Sequence, residues 1–311
     1  MDTKFIPLIG SEIALSLYPQ LIKLVPTTFE IQVSIRCITY SILAIIGYYI
    51  TKNNYISPNT NTFSFTTTSI IIGLVNIIHI ISSYICFNTL SSGVGYSIFY
   101  FYPIFNLLGR KLIYNEQIKI TNYIYIFISI IGVYLIYKNK SNNTLEPLQN
   151  ENEVNNNENN EKNKNNNKNN INYKNKNIGI IAGIVSALTE SIIYFMVKDN
   201  IVSVSPFIQL LKTYLLGGIL SIIYLIKNIK SIDLDYHYWI TIILFNALIG
   251  FVGYLLRFMM ISKLSTILFN SLIFTGVIFS YIWGYFLSNE QITYNNIFGT
   301  LLILLSIFFN K

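Results

Sequence analysis

The chain has 311 residues, of which 52% are hydrophobic and 11% charged, with a mean hydropathy of +0.50. Soluble domains carry about a quarter charged residues, and no single polar surface could hide runs such as Tyr123–Tyr137 and Leu301–Phe309, so the composition excludes a soluble globular protein and points to an integral membrane one. The net charge of +7 comes largely from lysines at helix ends and in one central polar segment, where they meet lipid headgroups or mark topology. No basic stripe interleaves with aromatics, which argues against a nucleic-acid partner.

A bilayer-crossing helix needs about 20 apolar residues. On that ruler the chain holds ten segments, at 5–25, 29–50, 67–88, 93–113, 119–138, 178–197, 205–227, 237–261, 264–287 and 292–309. The first contains Glu12 and Pro19; proline is tolerated in transmembrane helices, usually as a kink. The N-terminus has no basic n-region or small-residue cleavage site, so this segment is expected to be a retained helix rather than a signal peptide. Cys37 and Cys86 both fall inside predicted helices, which suggests neither a disulfide nor a zinc site. The many Tyr and Phe residues are expected to face lipid or the interface. Between the fifth and sixth segments, about half of 139–177 is Asn, mixed with Lys and Glu. Such a stretch buries no apolar surface and is expected to be a disordered linker. The expected organisation is a five-helix unit at 1–138, a linker at 139–177, and a second five-helix unit at 178–311.

The two units are related. Asn-Glu-Gln-Ile occurs at 115–118 and again at 289–292, 174 residues apart, and in the same register Leu90, Ser91, Ser97, Ile104 and Phe105 pair with Leu264, Ser265, Ser271, Ile278 and Phe279. This reads as an internal duplication. An odd number of helices per unit makes the second enter the membrane from the opposite face. The expected fold class is therefore an all-α membrane protein with ten transmembrane helices in two inverted five-helix repeats. With the N-terminus inside, Lys4, Lys52, Arg110, Lys111, Lys119, Lys198, Lys263 and Lys311 lie inside, against Lys23, Lys227 and Lys230 in short outer loops. The linker lysines, among them Lys138, Lys140, Lys174 and Lys176, count the other way, and the balance favours N-inside. Asn139-Lys140-Ser141 and Asn142-Asn143-Thr144 are glycosylation sequons, usable only if the linker faces a lumen or the exterior.

The stretch from Ser91 to Tyr137 resembles the EamA-type repeat of the drug/metabolite transporter superfamily. The first copy reads Tyr102-Pro103-Ile104-Phe105, Gly109-Arg110-Lys111, Asn115-Glu116 and Gly132-Val133-Tyr134. The second reads Phe274 to Phe279, Trp283-Gly284-Tyr285, Asn289-Glu290 and Gly299, with Val277 where the first copy has Pro103. Pro26 and Arg36 match the arginine that often follows a proline by ten residues in the second helix. The resemblance implies a ten-helix fold with both termini cytoplasmic and alternating access around a central cavity. It implies a small-molecule substrate without naming it, since members carry nucleotide sugars, phosphorylated sugars, amino acids, purines, drugs and other metabolites.

A charge inside a transmembrane helix costs at least about 2.5 kcal/mol on insertion scales, so Glu12, Arg36, Glu190, Lys212 and Arg257 each need a reason. At about 1.5 Å per residue, Glu190 and Lys212 lie about 10 Å deep from one surface and are expected to pair, whereas Glu12 and Arg36 differ in depth by about 10 Å. Arg257 lies near a helix end and is expected to snorkel to the interface. His79 is mid-helix, with Asn76 on nearly the same face. Asn88, Asn106, Asn246 and Asn270 either line a path or bond between helices. Glu12, Arg36, His79, Glu190 and Lys212 are therefore the candidates for substrate binding or coupling: the cations attract an anionic group, and a glutamate or His79 exchanges a proton or a glutamate holds an amine. The alternative is that these charges neutralise one another and fix packing. Glu116 and Glu290 sit at helix junctions and are expected to cap the helix that follows. No HExxH, GxSxG, P-loop or metal-ligand spacing appears, which speaks against an enzyme and against a metal or cofactor. Two readings remain: a secondary transporter of a small polar metabolite, and a non-transporting multi-pass scaffold that keeps the same fold. Plasma membrane and endomembrane are both open, as is oligomeric state.

Overall fold

The computed structural model describes residues 5–51, 66–115, 119–138, 161–199, 205–228, 232, 235–264, 269–270 and 272–308, with backbone alone for 114, 122, 137–138, 161–175, 199, 262 and 307–308. Every regular element among them is helical. In chain order they are α1 (Ile6–Leu15), α2 (Tyr18–Leu24), α3 (Phe29–Thr51), α4 (Thr67–Thr89), α5 (Ser92–Phe99), α6 (Tyr102–Tyr114), α7 (Ile120–Lys138), α8 (Glu161–Asp199), α9 (Pro206–Asn228), α10 (Tyr236–Leu244), a π-helical turn over Phe245–Phe251, α11 (Val252–Lys263), α12 (Thr275–Ser288) and α13 (Tyr294–Phe308).

Among the described residues, five stretches are long and apolar enough to cross a bilayer: Phe29–Thr51, Thr67–Thr89, Lys176–Lys198, Pro206–Asn228 and Tyr236–Ile261. Shorter apolar helices lie at Tyr123–Ile136 and Tyr294–Ser306. The expected first and fourth segments are each broken in two. The breaks fall where Pro19 and Pro103 occupy the first turns of α2 and α6, because proline lacks the N–H that a continuous helix would use. Helix α8 starts at Glu161, inside the stretch expected to be unstructured. Extending a helix already nucleated by an apolar segment adds one bond per residue without a new nucleation cost. Residues 139–160, with both sequons, lie outside the described residues.

The outward faces are apolar, as lipid requires. On α9, Ile219, Leu220, Ile222, Ile223 and Ile226 are 45–71% exposed. Packing joins the two halves throughout: α3 lies on α9, α4 on α8, α7 on α13, and α1 on α11. Where α7 crosses α13, a Cβ on Gly132 would stand 2.6 Å from the Gly299 carbonyl oxygen, and one on Gly299 equally close to the Gly132 carbonyl. Only glycine allows backbones this near. Asn115 and Asn289, the first residues of the duplicated tetrapeptides, both end their helices in the left-handed region, at φ 52° and 49°. That conformation suits Asn better than other side chains.

Candidate functional site

Four ionisable groups from both halves meet in the protein interior. Arg257 of α11 is 2% exposed, Glu12 of α1 is fully buried, His79 of α4 is 1% exposed, and Glu190 of α8 is 8% exposed. Each nitrogen of the Arg257 guanidinium has its own partner. Nε lies 3.2 Å from Glu12 Oε1, Nη1 lies 3.0 Å from Glu190 Oε1, and Nη2 donates to the Tyr102 hydroxyl at 2.9 Å. The Glu12 contact is ionic and off the hydrogen-bond angle; the other oxygen of Glu12 accepts from the Tyr100 hydroxyl. Arg257 is therefore the hub of the cluster and does not snorkel. Two carboxylates and a phenol hold it inside, and separating any of them would leave a buried charge unmatched.

His79 adds a proton-exchanging group. Its Nδ1 sits 3.1 Å from the Ser186 carbonyl, which can only accept, so Nδ1 carries hydrogen there. The other nitrogen, Nε2, faces Glu190 Oε2 at 3.5 Å. The His79–Glu190 contact thus ties α4 to α8.

Arg36 of α3 stands apart from this cluster. Its guanidinium carbon lies 4.5 Å from the Tyr18 ring centroid, 5.0 Å from Tyr254, 5.4 Å from Tyr40, 5.9 Å from Tyr84 and 6.0 Å from Tyr214. Nη2 donates to the Tyr214 hydroxyl at 3.2 Å. The box is itself braced: Tyr18 shares a hydrogen bond with Tyr40 at 2.5 Å and donates to Asn246 Oδ1 at 2.7 Å. Gly250, in the π-helical turn, leaves room for it, since a Cβ there would stand 2.1 Å from the Tyr18 hydroxyl oxygen. These tyrosines were expected in the lipid or interface. They are buried instead around a cation that has no carboxylate partner among the described residues, which their ring faces and hydroxyls help to accommodate. Arg36, His79 and Arg257 all line one small cavity of about 20 Å³ together with Tyr84, Tyr96 and Tyr254. That volume holds about one water and no metabolite.

The remaining predicted residues separate. Lys212 and Glu190 do not pair: Glu190 is taken by Arg257 and His79. Lys212 is half-buried and makes no ion pair among the described residues. It lies on the edge of α9 that continues through exposed Ile219 and Ile223, where a long side chain can reach the interface. Equal counts of residues from the helix ends do not put Lys212 and Glu190 on facing sides. Asn76 donates to the Thr213 carbonyl at 3.1 Å, and Asn106 accepts from Ser191 at 2.7 Å and reaches Asn270 at 3.5 Å. Both act as interhelical ties, whereas Asn88 is exposed. Glu290 does cap a helix, but not the one that follows it. Its Oε2 accepts from the Ser92 backbone N–H at 2.7 Å and its Oε1 from the Ser92 hydroxyl at 2.7 Å, at the start of α5 in the other half, and it is ion-paired with Lys23. Glu116 lies outside the described residues. Among the described residues no group of three or more His, Cys, Asp or Glu could hold a metal ion.

Residues 177–310 match the model of the EamA-like transporter family, on the second of the two halves. No curated protein matches the chain. One solved crystal structure superposes with a TM-score of 0.56 at 10% identity, covering 98% of this chain and 92% of that chain. At that identity the likeness concerns the fold alone.

Proposed function

From the premise that the chain carries an EamA-like transporter domain over residues 177–310, we propose that this multi-pass membrane protein is a secondary transporter. In this reading it moves a small polar organic metabolite by alternating access between two inverted five-helix halves. The observation that carries it is the Glu12–Arg257–Glu190–His79 cluster. Charges buried at membrane depth are costly and mark substrate or ion pathways, and these come from both halves, so any movement of one half against the other changes their contacts. The repeated left-handed asparagines and the pairing of α3 with α9 and α7 with α13 support two related halves. Glu290 and Lys23 close the junction of α5 and α2, and breaking that contact would accompany opening on that side. His79 and Glu190 are suited to exchange the coupling proton.

The test is reconstitution of the full chain into vesicles, with a metabolite panel supplied on one side and an imposed proton gradient. Uptake that follows the gradient and fails in Glu190→Gln supports the reading. A well-folded protein that moves no compound, with or without the gradient, defeats it and favours the non-transporting scaffold. The matched charges within the cluster would then serve only to hold the halves together.

A further inference from the structure

We propose that the Arg36 tyrosine box receives the carboxylate of an organic substrate whose body is apolar or aromatic. Calling the ligand a substrate rests on the transporter reading; the binding itself does not.

Arg36 is 3% exposed. The ion pairs among the described residues are Lys23 with Glu290, His79 with Glu190, and Arg257 with Glu12 and Glu190. Arg257 has two carboxylates and Arg36 has none. Ring faces lower the cost of burying a cation by about 0.5–2 kcal/mol each but carry no net charge. Bringing one anionic group to Arg36 completes the pair.

Hydrogen-bonding capacity is also unused at the same spot: among the described residues, Arg36 Nε and the Tyr84 hydroxyl are buried and have no hydrogen-bond partner. The Tyr84 ring lies beside Arg36, with the guanidinium carbon 5.9 Å from its centroid. Buried polar groups are rarely left so, and a guanidinium N–H with a phenol O–H beside it suits the two oxygens of a carboxylate.

The charged members of the cavity wall are Arg36 and Arg257, and neither Glu12 nor Glu190, the carboxylates paired with Arg257, lines it. An ammonium group would face guanidinium on two sides. A phosphate dianion would bring two charges where one is unmatched. The rest of the wall includes Phe87, Tyr96 and Phe99, with Phe87 stacked on Tyr96 at 5.2 Å between centroids, a surface for a flat or apolar body. The ligand enters a wider state of this cavity than the closed one described above.

The experiment uses the full-length protein in detergent, with melting followed by fluorescence of Trp239 and Trp283. Benzoate and phenylacetate are compared with phenyl phosphate, benzylamine and benzyl alcohol at one ionic strength. The carboxylates should raise the melting temperature in a saturable way, and the other three should not. Tyr84→Phe removes one hydroxyl that holds nothing in the fold, so it should fold and weaken carboxylate binding about tenfold. Arg36→Gln should weaken it at least about thirtyfold; if that variant does not fold, Tyr84→Phe decides. The proposal is overturned if no probe stabilises the protein, if benzylamine or phenyl phosphate does so better than benzoate, or if Tyr84→Phe binds benzoate as the parent does. A carboxylate that binds but is not moved in vesicles leaves this inference standing and defeats the transporter reading. An amine that is moved while no carboxylate binds does the reverse.

Discussion

Replacing Arg257 by Met keeps most of the side-chain volume and removes the hub of the buried cluster. Two contacts at 3.0 and 3.2 Å and one hydrogen bond at 2.9 Å are lost. At an effective dielectric of about 20, each ion contact represents roughly 5 kcal/mol of attraction, most of it offset by the desolvation of the groups involved. The net cost of orphaning the buried carboxylates is therefore about 3–5 kcal/mol. Glu190 keeps His79 as a partner at 3.5 Å, so Glu12 is the residue left worst off. Removing its charge as well, in the Glu12→Gln/Arg257→Met double variant, should recover roughly half of the loss by the same reasoning. Arg257→Met should melt on the order of 10 °C below the parent in detergent, with the double variant between them. A single variant within about 1 kcal/mol of the parent, or a double variant whose losses simply add, would refute the claim that Arg257 neutralises both carboxylates.

Glu290→Gln removes the charge at the start of α5 and leaves Lys23 without its counter-ion; a loss of about 1–2 kcal/mol is expected, read as a lower melting midpoint, and an unchanged midpoint would contradict the cap. Gly132→Ala should destabilise by about 1–3 kcal/mol, because its Cβ meets a backbone carbonyl at 2.6 Å that has no rotamer to escape into; equal stability would show that α7 and α13 do not cross so closely. Lys212→Ala should change stability by no more than about 0.5 kcal/mol and leave transport intact, since Lys212 joins no ion pair among the described residues. Loss of uptake in that variant would return Lys212 to the site.

Helix content and membrane class were legible from apolar run length alone, because a bilayer imposes the same requirement on every spanning segment regardless of its neighbours. The breaks were partly legible: Pro19 and Pro103 mark where α2 and α6 begin. The buried charges were legible as an inventory, for Glu12, Arg36, His79 and Glu190 all prove to lie inside. Arg257 was misjudged because distance from a helix end does not measure burial when α1 and α8 cover that end. The π-helical turn over Phe245–Phe251 adds to the difficulty. It shifts the register of everything after it relative to an ideal α-helix, so neither Tyr254 nor Arg257 could be assigned a face by counting 3.6 residues per turn. Glu290 was legible as a capping group, but its helix was not, since a side chain in a tight junction reaches whichever N-terminus packs beside it.

From the sequence alone follow an all-helical membrane protein, its apolar segments, its duplicated tetrapeptide and the list of charges that had to be explained, each being a property of composition or of spacing along one helix. Which charge meets which was decided only by the tertiary structure. That Arg257 binds two carboxylates, that Arg36 is ringed by tyrosines with no carboxylate among the described residues, and that Lys212 stands aside depend on how separate helices cross. Local periodicity carries no information about those crossings, and in a low-dielectric interior they determine whether a charge is neutralised in place or left for a ligand to complete.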